Sequence, residues 1–163
     1  MPWLVSINAI VHQSADAVIL VESVAAYPNG FVINIGIRAN PHQPPQEVTG
    51  RIHQAGMRFP RIGVRFSDGQ AAGHEASTRA RLRPTHEVPK DAEGLPTAAV
   101  VRMTGGGGGG GGWRFGAWVY PLPSEGPVEV FVSLPLAGLD EGKVVIDGAE
   151  IRDASQRATV VWD

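Results

Sequence analysis

The sequence predicts an all-β, mainly antiparallel fold: a β-sandwich, immunoglobulin-like or jelly-roll-like, with one short C-terminal helix. Three observations predict it. Apolar residues alternate with polar or small ones over several short runs, which is the period of a half-buried strand. The runs are divided by turns that draw on 21 Gly and 13 Pro. No strand-helix-strand rhythm appears, so a parallel α/β sheet is not expected.

Phe31, Ile33, Ile35 and Ile37 share one side of an extended chain, with Val32, Asn34, Gly36 and Arg38 on the other. The segment Val18 to Ala26 before it is rich in Val, Ile and Leu. Tyr27-Pro28-Asn29-Gly30 joins the two as a hairpin turn, Pro presetting the bend and Asn-Gly tolerating positive φ. The same grammar recurs at Ile62, Val64 and Phe66, closed by Ser67-Asp68-Gly69. Further strands are expected at Ala98 to Met103, Trp113 to Tyr120 and Val128 to Leu134, and another through Val5, Ile7, Ala9 and Val11. That makes six to eight. Asp147 followed by Glu150 has capping-box spacing, and Ile151, Ala154, Ser155 and Ala158 fall on one helical stripe. Thr159 to Trp162 reads as β-prone again. Asn40 to Pro60 and Gln70 to Pro96 lack periodicity and read as long loops.

With 163 residues, 43% hydrophobic, 18% charged and a net charge of -2, the chain is expected to form a single domain over 1–163 with a poly-Gly segment at 105–112. The absence of Cys excludes disulfides, thiolate chemistry and Cys-ligated zinc. No signal peptide or membrane-spanning run is recognised, so the cytoplasm is the expected compartment. No cofactor and no metal site is expected. The histidines (His12, His42, His53, His74, His86) are never two to four apart, and His74-Glu75 and His86-Glu87 are followed by Thr78 and Lys90 where a zincin needs His. GxSxG is absent as well.

Gly105, Gly106, Gly107, Gly108, Gly109, Gly110, Gly111 and Gly112 form an unbroken run. It satisfies GxGxxG trivially, but an aromatic segment follows where a dinucleotide site needs a helix, and no Gly-Lys-Ser/Thr occurs. Ordering eight glycines costs roughly 4 to 8 kcal/mol more than ordering alanines. Two readings follow: a mobile hairpin tip, or an ordered strip whose bare backbone lies close to another backbone. After the run, Trp113, Phe115 and Val119 share one face of an extended segment, and Trp118 and Tyr120 share the other with Arg114 and Gly116. Trp118 and Tyr120 are either core residues or a contact surface.

Residues 51–86 hold seven Arg against Asp68 and Glu75, a balance of +5, whereas 121–163 hold eight acidic residues against Lys143, Arg152 and Arg157, a balance of -5. Arg79, Arg81 and Arg83 alternate. They either contact an anion or pair with the acidic C-terminal part.

Tyr27-Pro28-Asn29-Gly30-Phe31, Arg61 to Gly69, the glycine run ahead of Trp113 and Trp118, Pro121-Leu122-Pro123, Gly126-Pro127 and the Ala154/Ala158/Trp162 ending together resemble a family of uncharacterised glycine-run β-proteins from high-GC bacteria. The likeness covers most of the chain from about residue 15 onward; Leu134-Pro135 departs from the Trp-Pro expected there. It implies that the glycine run belongs to the fold, and it brings no activity or ligand with it.

The expected function is therefore a non-enzymatic structural or protein-interaction module. Its partner would be protein, its own copies included, and neither nucleic acid nor membrane. One alternative is a small-ligand, carbohydrate-like binding module using Trp118, Tyr120 and the loop histidines. Another is an enzyme with a loop-assembled site around His42, His53, His74 and His86.

Overall fold

Alternation decides which side of each strand is buried, and the computed structural model turns it into two stacked sheets. It describes residues 1–42, 50–51, 54, 60–74, 83–84 and 88–159. Among them run β1 (Trp3–Gln13), β2 (Ala17–Tyr27), β3 (Gly30–Ala39), β4 (Arg61–Arg65), β5 (Ala71–His74), β6 (Arg83–Pro84), β7 (Val100–Gly109), β8 (Gly112–Tyr120), β9 (Pro127–Leu134), β10 (Leu139–Asp147) and the helix α1 (Gly148–Gln156). One five-stranded sheet has the order β1-β2-β3-β8-β7 and the other β10-β9-β4-β5-β6. All described pairings are antiparallel except β5 with β6. The fold is thus mainly antiparallel β and sandwich-like, with one short C-terminal helix.

The inward sets meet in a single core. Phe31, Ile33, Ile35 and Ile37 of β3 are wholly buried, as are Ile62 and Val64 of β4. The Phe31 and Phe66 rings meet edge-on across the sheets with centroids 6.5 Å apart. In β2 the alternation changes parity at Glu22. A register shift between Val21 and Ser23 lets Val21 and Val24 both face the core and throws the carboxylate onto the outer face. In β1 a similar shift between Ser6 and Ala9 contains Asn8 at φ 51°, a left-handed conformation that Asn tolerates better than most residues.

The Tyr27–Gly30 turn differs from expectation. Pro28 and Asn29 form a two-residue connection with Tyr27 opposite Gly30, but neither Asn29 nor Gly30 has a positive φ. Gly30 is needed for space: a Cβ there would lie 2.5 Å from the Trp118 ring and 2.6 Å from the Val119 carbonyl oxygen. β10 was not anticipated either, because its register shifts between Leu139 and Gly142 and breaks the alternation. At Ser67-Asp68-Gly69 the turn forms as expected, with Gly69 at φ 88° and the Gln70 N–H donating to Asp68 Oδ1 at 2.9 Å.

Asp147 caps α1 by accepting from the Ala149 N–H at 2.9 Å. Ile151, Ala154 and Ser155 turn inward, and the Arg157 guanidinium lies over the Trp3 ring at 5.6 Å. Thr159 donates its N–H to the Met1 carbonyl; the β-prone residues after it lie outside the described set.

On the outside of the second sheet, Glu129 accepts from Lys143 Nζ at 2.7 Å and Arg65 at 3.3 Å. The Lys143 hydrogen bond is the largest influence on the Glu129 carboxyl; burial opposes it, and the charges of Lys143 and Arg65 add to it, so the carboxyl is held below its ordinary value. A depressed folded-state pKa contributes stability above the unfolded pKa, and that stability is lost as pH falls through the folded one. Glu129→Gln is expected to lower stability by about 0.5 kcal/mol at neutral pH. Urea titrations should show the deficit vanishing once the pH lies below the lowered pKa; a deficit that persists there contradicts the ion-pair assignment.

Candidate functional site

Eight identical residues have no pattern of their own, and the strand opposite supplies one. β7 continues from Val100 through Gly109, so Gly105–Gly109 are strand, and Gly110 and Gly111 are the two-residue turn into β8. Both turn glycines have positive φ, 60° and 88°, as a type I′ hairpin turn demands. Gly105 follows a bulge at φ 142°. Gly106 and Gly108 are required by their neighbours: a Cβ at 106 would lie 2.4 Å from Phe115 Cδ1, and one at 108 would lie 2.3 Å from the Gly112 carbonyl oxygen and 2.6 Å from Trp113 Cδ1. The two rings, nearly buried, lie over bare backbone, which offsets the entropy of ordering it. Gly107 and Gly109 differ. Nothing lies within 4 Å of a Cβ built on either, and the fold does not require them to be glycine.

β7 ends its sheet. Its base is tied down where the Ala99 N–H donates to Gln70 Oε1 at 3.3 Å. Farther along, among the described residues, β8 alone pairs with Gly105–Gly109. In a two-residue hairpin the pair flanking the turn is hydrogen-bonded, and bonded pairs recur at every second position. Gly109, Gly107 and Gly105 therefore direct their N–H and C=O groups to β8. Gly106 and Gly108 direct theirs away from the sheet.

The outer face beside this edge is basic. Across it the register runs Gly36, Arg114, Gly107 in one row and Arg38, Gly112, Gly109 in the next. Glu22 leans over Gly36, where a Cβ would lie 2.6 Å from its Oε1. It accepts from Arg38 and, at 3.0 Å, from Arg114 Nε. Arg38 also donates to the Ile37 and Trp113 carbonyls at 3.1 and 3.3 Å. Arg114 is 75% exposed, and Arg102 on β7 is exposed with no carboxylate partner among the described residues. Among the described residues one carboxylate thus serves the outer face on which three guanidinium groups stand. Arg38, Arg114, Gly107, Gly108, Gly109 and Gly112 line a shallow trough that opens at the sheet edge.

The other sequence candidates are placed less tightly. Trp118 is half-buried, packed on Gly30 and edge-on to Tyr27 at a centroid distance of 5.5 Å. Tyr120 ends β8 half-buried, before a cis bond to Pro121. Arg79 and Arg81 lie outside the described residues, and Arg83 is described only as a strand position paired with Ala72. His53 and His86 also lie outside them; the backbone of His74 is in β5, and His42 is exposed, its N–H donating to Asn40 Oδ1. Among the described residues no three His, Asp or Glu side chains gather as metal ligands, and no helix is long and apolar enough to cross a membrane. Neither a protein-family model, nor a curated protein, nor a solved structure matches the chain.

Sequence reasoning missed Glu22, Arg38, Arg102 and Arg114 as a group. One signal was present: Glu22 is the sole charge in the otherwise apolar or small Ala17–Tyr27 run, and a carboxylate set in such a strand needs a basic partner across the sheet.

Proposed function

We propose that the protein is a protein-interaction module, non-enzymatic in its own right, that takes an extended segment of another chain, its own copies included, along the glycine half of β7. The observation that carries this reading is an edge strand left without side chains at Gly105–Gly109, with the backbone groups of Gly106 and Gly108 directed outward. Edge strands are ordinarily blunted by charge, proline or a covering element; this stretch bears neither of the first two, and no described element covers it. Strand addition draws its affinity from main-chain hydrogen bonds, and bare glycine permits the closest approach.

The test is amide exchange by NMR at rising protein concentration and with extended eight-residue peptides of neutral, basic and acidic composition. Slower exchange at Gly106 and Gly108, with Gly107 and Gly109 unchanged, is the expected result. Exchange at Gly106 and Gly108 that no concentration and no peptide slows would overturn the reading.

A further inference from the structure

Gly107 and Gly109 are the two glycines of β7 that neither φ nor a neighbouring atom explains. A β-branched residue at either would strengthen the strand, so their bareness calls for a reason outside the hairpin. The rows supply one. Gly107 stands between Arg114 and the open edge, while Gly109 and Gly112 stand between Arg38 and that edge. Strands lie about 4.8 Å apart. The Arg114 side chain is therefore separated from an incoming strand by a single bare position, a gap that a guanidinium and a carboxylate side chain bridge together. A side chain at 107 would fence them apart.

We infer that the segment taken up along β7 is acidic, with carboxylates on its outward-facing side that pair with Arg114 across Gly107 and with Arg102 on β7 itself. This rests on the strand-addition reading above and deepens it. The residue opposite Gly107 in an added strand projects onto the same outer face as Arg114. Arg102 lies on that face nearer the base, opposite Trp118. Among the described residues Glu22 is the one carboxylate against Arg38, Arg102 and Arg114, and it is shared between Arg38 and Arg114, so positive charge remains for the partner. Arg38, bound to Glu22 and two carbonyls, adds to the local potential from a fixed position. A second copy fits less well: antiparallel pairing of β7 with another β7 carries Arg102 to the partner's glycine turn, beside its Arg38 and Arg114, and like charges meet.

The experiment compares an eight-residue peptide alternating Glu and Val with one alternating Thr and Val. Binding is followed by titration calorimetry and by the Gly106 and Gly108 amides at low and high salt. The acidic peptide is expected to bind about tenfold more tightly at low salt, with the difference closing as salt screens the pairs. Arg114→Gln and Arg102→Gln are each expected to weaken it about threefold to fivefold, leaving the neutral peptide unaffected. Both arginines are exposed, so these variants retain the fold. Equal binding of the two peptides at Gly106 and Gly108 overturns the acidic assignment and leaves strand addition standing. A stable dimer that already protects Gly106 and Gly108 overturns it in favour of a second copy. No protection by any peptide overturns both.

Discussion

Gly142→Ala is expected to destabilise the protein by about 3 kcal/mol or more, at the upper end of what overpacking does. Gly142 sits where the edges of the two sheets meet. A Cβ there would lie 1.9 Å from the Val11 carbonyl oxygen and 2.7 Å from its carbonyl carbon, and neither belongs to a side chain that can swing aside. Val11 is buried at a register shift of β1, between Ile10 and His12, which both pair with β2, and Gly142 is held in β10 by pairing with β9 opposite Val132. Relief requires the sheets to part along that edge. For a domain of this size the loss corresponds to a fall in Tm of about 10 °C. Urea unfolding of the Ala variant checks it; a change below about 0.5 kcal/mol, the scale of an innocuous surface substitution, contradicts the edge-to-edge closure of the sandwich.

The second large effect is a pattern within the glycine run. Gly108→Val is expected to cost about 3 kcal/mol, because its Cβ meets the backbone of Gly112 and Trp113, which cannot yield without opening the hairpin. Gly106→Val is expected to cost less, about 2 kcal/mol, since its nearest atoms belong to the Phe115 ring, which can shift within the core. Gly107→Val and Gly109→Val are expected to be neutral or to stabilise by up to about 1 kcal/mol. Thermal melts of the four variants should therefore alternate along four consecutive, chemically identical positions. A flat series means that the run is not the ordered strand described here.

Strands whose two faces differ in polarity were legible because alternation is written directly in residue type: β3, β4 and β9 fall where Phe31, Ile62 and Val128 begin their runs. The helix was legible from Asp147 and the Ile151/Ala154/Ser155 stripe. β10 was not, because the bulge before Gly142 changes the parity of Leu139 against Val144 and Ile146. The glycine strand was legible only as an alternative to a mobile tip, since residues without side chains carry no periodicity. Which glycine needs which space depends on the Phe115 and Trp113 register, a property of the pairing and not of the run. The arginine rows were hidden for the same reason: Glu22, Arg38 and Arg114 lie on three different strands and meet only after a bulge has turned Glu22 outward.

The most direct test of the open edge is amide hydrogen exchange of the protein alone, resolved at Gly106, Gly107, Gly108 and Gly109. Fast exchange at Gly106 and Gly108 with protection at Gly107 and Gly109 is the predicted result, because the first pair faces solvent and the second is bonded to β8. Equal rates at all four positions, or protection at Gly106 and Gly108 in the dilute monomer, would contradict an edge strand free to accept another chain.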